Sequence, residues 1–334
     1  MSKSHQDYTQ SLGLDVGTSR IVVARCAENK YHYESQLNAF LTLPHSRLAE
    51  DLLMREGVFH EVRGAEIVVA GNDAQKFAEV FHVETRRPMA NGVLNPQEPH
   101  SLAVVRSIVT RLLGKANTTG QKVYFSIPAP VEGVDAAIPY HQAAITQILS
   151  DLGYEPTAIT EGLAVVFGEL ADANFSGIGI SCGSGLCNVC LAVLSVPVIS
   201  FSVPKAGDFI DSQAAMVAGD LAIRMRVQKE HSFYLNGLTG DRIHDALNVY
   251  YQEVLVNLAR TLRAHISSAQ RLPKLEQSIP LVLSGGTVMP KGFHELFMKV
   301  MHKNELPVKL SEVRLSPDPL NSTARGALMA ALAG

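Results

Sequence analysis

The sequence predicts an α/β protein of two similar halves, each a mixed sheet flanked by helices. Apolar strand-length runs are followed by helix-periodic stretches. An order of strand, tight glycine turn, two further strands and then helices occurs twice. A glycine-rich turn directly follows an apolar strand at three well-separated places. With 334 residues and 46% apolar content, the chain can bury the core of one large or two medium domains.

In the first half a polar head ends near Ser11, and strands are expected at 12–16, 21–26 and 32–39, with turns at Gly17–Ser19 and Glu28-Asn29. A helix follows at 47–55, then a strand at 66–70 and a helix at 72–80 capped by Asn72. Leu102, Val105, Ile108, Val109 and Leu112 recur at helical spacing within 98–115. A strand at 122–127, a helix at 134–152, a strand at 157–160 and a helix at 161–170 complete this half. The second half repeats the pattern with strands at 177–182, 186–193 and 198–203. A helix at 208–229, a loop at 236–240, a helix at 241–269, a strand at 279–283 and a helix at 289–302 follow. The last helix, 320–333, carries Ala324, Gly326, Ala327, Ala330 and Ala331, small enough to let it lie close to its neighbours. No low-complexity linker separates the halves, so intimate packing is expected.

A formal net charge of −3 with 18% charged residues is too balanced for binding that rests on neutralising nucleic-acid phosphates. The apolar runs are strand-length, far short of the ~20 residues that span a bilayer. The polar N-terminus carries no apolar signal region, so the cytoplasm is the expected compartment. Cys182, Cys187 and Cys190 fall as C-x4-C-x2-C, a spacing similar to that of plant-type iron–sulfur ligands. The competing interpretation is small apolar side chains in a buried hairpin, and the apolar residues interleaved with them favour it. The histidines are scattered, among them His32, His60, His82 and His100.

Three turns carry the chemistry. The first reads Leu14-Asp15-Val16-Gly17-Thr18-Ser19-Arg20. Glycine lets a ligand approach the backbone, the amides and hydroxyls of Gly17, Thr18 and Ser19 can wrap a phosphate, and Asp15 can hold a Mg²⁺ ion through its waters. By itself this segment also fits an ordinary hairpin. The second reads Ile180-Ser181-Cys182-Gly183-Ser184-Gly185-Leu186-Cys187, and the third Leu283-Ser284-Gly285-Gly286-Thr287. In the third, glycines leave room for a base or ribose to lie on the backbone.

Together these segments resemble the actin, sugar-kinase and heat-shock ATPase superfamily, most of all its bacterial MreB and MamK type actins. Asp15-Val16-Gly17-Thr18-Ser19 resembles their first phosphate motif, Val69-Ala70-Gly71-Asn72-Asp73-Ala74 their VGDEA segment, and Arg87-Pro88-Met89-Ala90-Asn91-Gly92-Val93 their RP-x-x-[DN]-G-V segment. Thr160-Glu161-Gly162 resembles the start of their inter-lobe helix. Lys205-Ala206-Gly207-Asp208 resembles the segment after the second hairpin, Lys229-Glu230 the pair beside the nucleoside, and Ser284-Gly285-Gly286-Thr287 the adenosine motif. The resemblance implies an actin-like two-lobed fold holding ATP and Mg²⁺, with lobe I at 1–160, lobe II at 161–318 and a C-terminal helix at 319–334 returning to lobe I. It implies cofactor contacts from Asp15, Gly17, Thr18, Ser19, Gly183, Ser184, Gly185, Gly207, Asp208, Lys229, Glu230, Gly285, Gly286 and Thr287. Glu161 would orient the attacking water.

Two departures follow. Where the family's second phosphate motif has Asp, this chain has Ser181, and Leu186-Cys187 stand where its Thr belongs. Removing one charged group near transferring phosphates slows turnover ~10²-fold or more, so binding is expected to outlast hydrolysis. About ten residues separate Lys229-Glu230 from the helix near Asp241, so the outer subdomain of lobe II is expected to be reduced. The leading expectation is a filament-forming ATP-binding protein, at most a slow ATPase. The alternative is a non-polymerising pseudo-ATPase whose nucleotide-bound shape recruits a partner or adaptor. A chaperone ATPase would need a substrate domain after Gly334, and a sugar kinase a catalytic Asp, for which Asp208 is the formal candidate.

Overall fold

The computed structural model describes residues 11–81, 83–131, 137–269 and 277–334. His82 and the start of the helix expected at 134 lie outside the described residues. The first half runs β1 (Leu12–Val16), β2 (Arg20–Ala27), β3 (Lys30–Leu37), β4 (Phe40–Pro44), α1 (Arg47–Arg55), β5 (His60–Arg63), β6 (Glu66–Ala70) and α2 (Asn72–Phe81). It continues through β7 (Met89–Ala90), β8 (Val93–Leu94), α3 (Ser101–Leu113), β9 (Gln121–Ile127), α4 (Ala137–Asp151), β10 (Tyr154–Thr160) and α5 (Glu161–Glu169). The second half comprises β11 (Gly177–Cys182), β12 (Cys187–Val193), β13 (Val196–Val203), α6 (Gly207–Ala218), α7 (Ala222–His231) and α8 (Arg242–Ser268). It closes with β14 (Ile279–Ser284), α9 (Phe293–Lys303), β15 (Leu310–Leu315) and α10 (Ser322–Ala333).

The repeat is a duplicated topology. One five-stranded sheet has the order β3-β2-β1-β9-β10 and the other β13-β12-β11-β14-β15. In each, the first three strands are antiparallel neighbours and the last two join in parallel. The halves then exchange helices: α5, which follows β10, packs on β11 and β12, whereas α10, which follows β15, packs on β1, β2 and β9. Small residues make this possible. A Cβ at Gly13 would overlap the Ala324 carbonyl of α10, and one at Gly179 the Gly162 carbonyl of α5. The fold is actin-like and two-lobed.

The lobe I core gathers β1, β2, β9, α3 and α4 around Leu14, Phe125, Ile108 and Ile148. The lobe II core centres on α8, whose Leu247, Tyr251, Val254, Leu258 and Leu262 form a buried stripe at helical spacing. Asp241 caps α8 by accepting from the His244 amide at 2.7 Å. Each buried side chain of this size contributes about 1.5–3 kcal/mol through removal of apolar area from water.

Several expectations are corrected. The helix expected at 208–229 is two, because Gly219 adopts φ +70° and its amide and that of Asp220 both bond the Ala215 carbonyl, closing α6. Asn72 does not cap α2: its Oδ1 accepts from the Leu37 amide at 3.0 Å and its own amide donates to Gln36, fastening the helix to β3. A short 3₁₀ turn, Gly286–Val288, precedes α9, which starts at Phe293 rather than Met289. Strands β4, β5 and β15 were not anticipated. Cys182 and Cys187 are cross-strand partners in the core on one face of β11–β12, whereas Cys190 packs on the other face beneath α5, so the three thiols do not converge.

The small sheet β4-β6-β5 stands on lobe I. Among the described residues no strand lies between β13 and β14, so lobe II lacks its counterpart. The loop after α7 folds back instead, with Tyr234 bridged to Lys291 and the Leu235 amide donating to the Lys291 carbonyl at 2.7 Å.

His141 of α4 is fully buried, and neither ring nitrogen has a hydrogen-bond partner among the described residues. Burial lowers its pKa from an ordinary 6.5 to about 4. The folded state therefore keeps it neutral while the unfolded chain takes up a proton below pH 6.5, so its contribution is full above that value and falls as pH drops toward 4. The loss amounts to ~2 kcal/mol at pH 5. Urea midpoints at pH 8 and pH 5 are expected to draw closer in His141→Leu than in wild type. An unchanged gap would remove His141 as the cause.

Candidate functional site

Strands β1 and β11 end in equivalent turns that meet between the lobes. In the first, the Gly17 amide donates to the Arg20 carbonyl at 3.0 Å, Asn38 Nδ2 donates to the Gly17 carbonyl, and Thr18 Oγ1 accepts from the Gly92 amide at 3.0 Å. In the second, the Gly183 amide donates to the Leu186 carbonyl at 3.0 Å. Thr287 Oγ1 donates to the Gly183 carbonyl at 2.7 Å, and the Gly207 and Asp208 amides donate to the Gly183 and Ser184 carbonyls, so the start of α6 and the third glycine turn brace the second. A Cβ at Gly185 would lie 2.6 Å from Thr18 Oγ1. At Gly285, φ +94° and the adjoining Cys182 carbonyl leave no room for a side chain.

The turns wall a cavity of about 640 Å³. Every residue singled out from the sequence lines it: Asp15, Gly17, Thr18, Ser19, Glu161, Gly183, Ser184, Gly185, Gly207, Asp208, Lys229, Glu230, Gly285, Gly286 and Thr287. Three of these are held in ion pairs. Asp208 pairs with Arg87 of lobe I at 2.6 Å, Lys229 with buried Asp211 at 2.6 Å, and Glu230 with Arg226 at 3.0 Å. Lys229 also donates to the Gly207 carbonyl at 3.3 Å. Arg20, Arg226, Asp211, Tyr234 and Met289 join the lining without having been singled out. Arg20 was in view as the residue after the first turn, but only the alternation of β2, which puts it on the same side as the lining residue Val22, would have marked it.

One end of the cavity is acidic. Asp15 Oδ1 accepts from Ser126 Oγ at 2.7 Å, and that oxygen accepts from the Val16 amide. Burial pushes Asp15 up to about 6, against the Ser126 hydrogen bond. Glu161 Oε2 accepts from Ser181 Oγ at 3.0 Å. Burial first, and the Asp15 charge second, push Glu161 up to about 8. Ser181 is thus a neutral donor whose hydrogen bond draws the Glu161 pKa back down.

The chain matches a family model. It is the Volactin model, and it spans residues 11–331. The chain belongs to the Volactin family. No curated protein sequence matches it. This Volactin-family chain is similar in structure to a MamK double helical filament, with TM-score 0.71, 17% identity and coverage of 96% of this chain and 98% of the other. It is similar to MreB 5 of Spiroplasma citri bound to AMPPNP, with TM-score 0.67, 12% identity and coverage of 95% and 94%. The ethanolamine utilization protein EutJ from Carboxydothermus hydrogenoformans gives TM-score 0.54 at 17% identity, covering 95% and 88%. At these identities the likeness is one of fold.

Two features of the Volactin-family cavity fit a Mg²⁺–polyphosphate ligand. Ser184 Oγ, in the second turn, is buried and has no hydrogen-bond partner among the described residues. Asp15 and Glu161 are both carboxylates raised chiefly by burial, and the Asp15 charge raises Glu161 further. A cation relieves such a pair. Among the described residues there is no cluster of three or more His, Cys, Asp or Glu suited to an ion. Leu186 is buried with its side chain against Gly92, so this turn position contributes an apolar contact between the two halves. Gly179-Ile180-Ser181-Cys182-Gly183 has the spacing of a hydrolase nucleophile elbow. It lies on a strand that turns into β12, not a helix, and Ser181 bonds a carboxylate rather than a base, so it lacks that chemistry. No helix among the described residues is long and apolar enough to cross a membrane.

Proposed function

We propose that this protein binds ATP with Mg²⁺ between its lobes and assembles with further copies of itself into cytoskeletal filaments in the cytoplasm, hydrolysing the nucleotide slowly or not at all. The observation that carries the reading is the meeting of two equivalent glycine turns, from duplicated sheets, at one cavity braced by the third. In this reading Gly17, Thr18, Ser19, Gly183, Ser184 and Gly185 hold the phosphates, and Asp15 holds Mg²⁺ through waters. Gly207 and Asp208 support the second turn, Lys229 and Glu230 flank the nucleoside, and Gly285, Gly286 and Thr287 bear the base and ribose. Bound Mg²⁺ supplies positive charge that offsets the phosphates. Glu161 orients the attacking water, poorly while it is protonated and tied to Ser181. Lobe boundaries at 160/161 and 318/319 put α5 and α10 where each half reaches into the other. Support comes from the MamK filament, the AMPPNP complex of MreB 5 and an ADP-bound MreB5 of Spiroplasma citri, at 13% identity and TM-score 0.65.

The absence of a strand-built outer unit on lobe II among the described residues favours a second reading, a non-polymerising scaffold whose nucleotide-bound form recruits an adaptor. Calorimetry with Mg-ATP and Mg-ADP followed by sedimentation separates the two. The first reading expects binding and a pellet that appears with ATP or a non-hydrolysable analogue and not without nucleotide. The second expects binding with a monodisperse supernatant. Failure of both nucleotides to bind at millimolar Mg²⁺ would sink both readings.

A further inference from the structure

The charges on the cavity wall are mostly accounted for. Lys229 answers Asp211, Arg226 answers Glu230, and Arg87 answers Asp208 from outside the lining. Arg20 is different. It lines the same cavity, and among the described residues no carboxylate lies within salt-bridge distance of it. Its hydrogen bond runs from Nη1 to the neutral Ser35 Oγ at 3.1 Å. Burial draws its pKa down, and of the charged groups that act on it, Glu230 and Arg226 face it from α7 across the cleft, the first favouring its charge and the second opposing it. A guanidinium stays protonated under such conditions, so the site presents a partly desolvated positive charge, and Glu230, the carboxylate that acts on it, is committed to Arg226. An anionic ligand group completes it.

Position then selects the group. Arg20 directly follows the turn Gly17–Ser19 and shares with Val22 the face of β2 that lines the cavity, while its charged neighbours belong to the helix that carries Lys229 and Glu230. It therefore stands between the two glycine turns and the side of the cavity assigned to the nucleoside. A nucleoside triphosphate laid along that path, terminal phosphates at the turns, passes its first phosphate by Arg20. We propose that Arg20 is the α-phosphate clamp of this site, reaching from lobe I across the cleft so that the nucleotide joins the lobes through Arg20 as well as through the turns. The proposal rests on the nucleotide reading above.

Competition against a fluorescent ADP analogue measures adenosine, AMP, ADP and ATP affinities for wild type, Arg20→Gln and Arg20→Lys. Glutamine keeps a neutral donor for Ser35, and nucleotide-free melting temperatures verify folding; lysine carries the test if glutamine does not fold. In wild type the step from adenosine to AMP is expected to gain about 10–100-fold, the scale of a charge-assisted hydrogen bond. Arg20→Gln should shrink that step to within ~3-fold and weaken ADP and ATP by the same factor, leaving the AMP-to-ADP and ADP-to-ATP steps as they were. Arg20→Lys should recover part of the loss, being a point charge without the planar fork. An unchanged adenosine-to-AMP step, or a loss confined to the ADP-to-ATP step, overturns the assignment while leaving nucleotide binding intact. A wild type that binds none of these ligands overturns the nucleotide reading itself.

Discussion

Ser181→Asp is expected to raise Mg-ATP turnover ~10²-fold and to lower the stability of the nucleotide-free protein, since removal of single electrostatic groups at transferring phosphates has effects of this size. Both effects arise from one contact. Ser181 Oγ donates to Glu161 Oε2 at 3.0 Å, in a region where burial and the Asp15 charge already hold Glu161 near 8. An aspartate at this place replaces a donor by a third desolvated carboxylate, which the empty cavity cannot offset, so the melting temperature without nucleotide should fall and its dependence on Mg²⁺ should steepen. With Mg-ATP present the same carboxylate adds a holder of metal-bound water opposite Asp15. It also releases Glu161 from Ser181, and the bound cation favours its ionised form. The gain should disappear in Ser181→Asp with Glu161→Gln, because the water-orienting group is then gone. Single-turnover phosphate release reads all three proteins. Turnover by Ser181→Asp within ~3-fold of wild type would show that the hydroxyl at 181 is not what limits hydrolysis.

The turns were legible in the sequence because each obeys a local rule: an apolar strand, then glycine where the backbone must come close to a ligand or neighbour. The duplicated sheets follow from that repeat. What the sequence concealed was action at a distance. Asp208 was assigned to the ligand from its neighbours in the chain, yet its carboxylate is held by Arg87, far away in sequence, and no local pattern announces such a pair. Lys229 likewise presents as a free cation in the sequence and is bound by Asp211 in the structure. Arg20 escaped notice for the opposite reason, since a missing partner has no signature in one dimension. Gly219 was read through as helix interior; only its left-handed φ shows that it closes α6. Strands β5 and β15 escaped because edge strands such as His60–Arg63 and Leu310–Leu315 are half-exposed and lack clean apolar alternation.

The exchanged helices lead to the other large effect. Gly326→Ala is expected to cost ~3 kcal/mol or more and to lower the melting temperature by about 6–12 °C, although alanine is the better helix former. At Gly326 a Cβ would overlap the Ala164 carbonyl oxygen of α5, and the nearby Gly168 amide leaves no lateral room. The obstacle is backbone, so no rotamer change relieves it and the two helices must separate. Separation carries a functional consequence that an ordinary core defect lacks. Helix α10 lies beneath β1 through Gly13, and α5 lies beneath β11 through Gly179, so the α5–α10 crossing sets how far apart the two phosphate-turn strands stand. Forcing it open displaces Glu161, the first residue of α5, from Ser181 and spreads the turns, so ADP affinity should fall beyond what the loss of stability explains. Leu332→Ala, on the exposed side of the same helix, should stay within about 0.5 kcal/mol and bind normally. A Gly326→Ala protein that melts with wild type, or that is less stable yet binds ADP equally well, would show that this crossing does not govern the spacing of the turns.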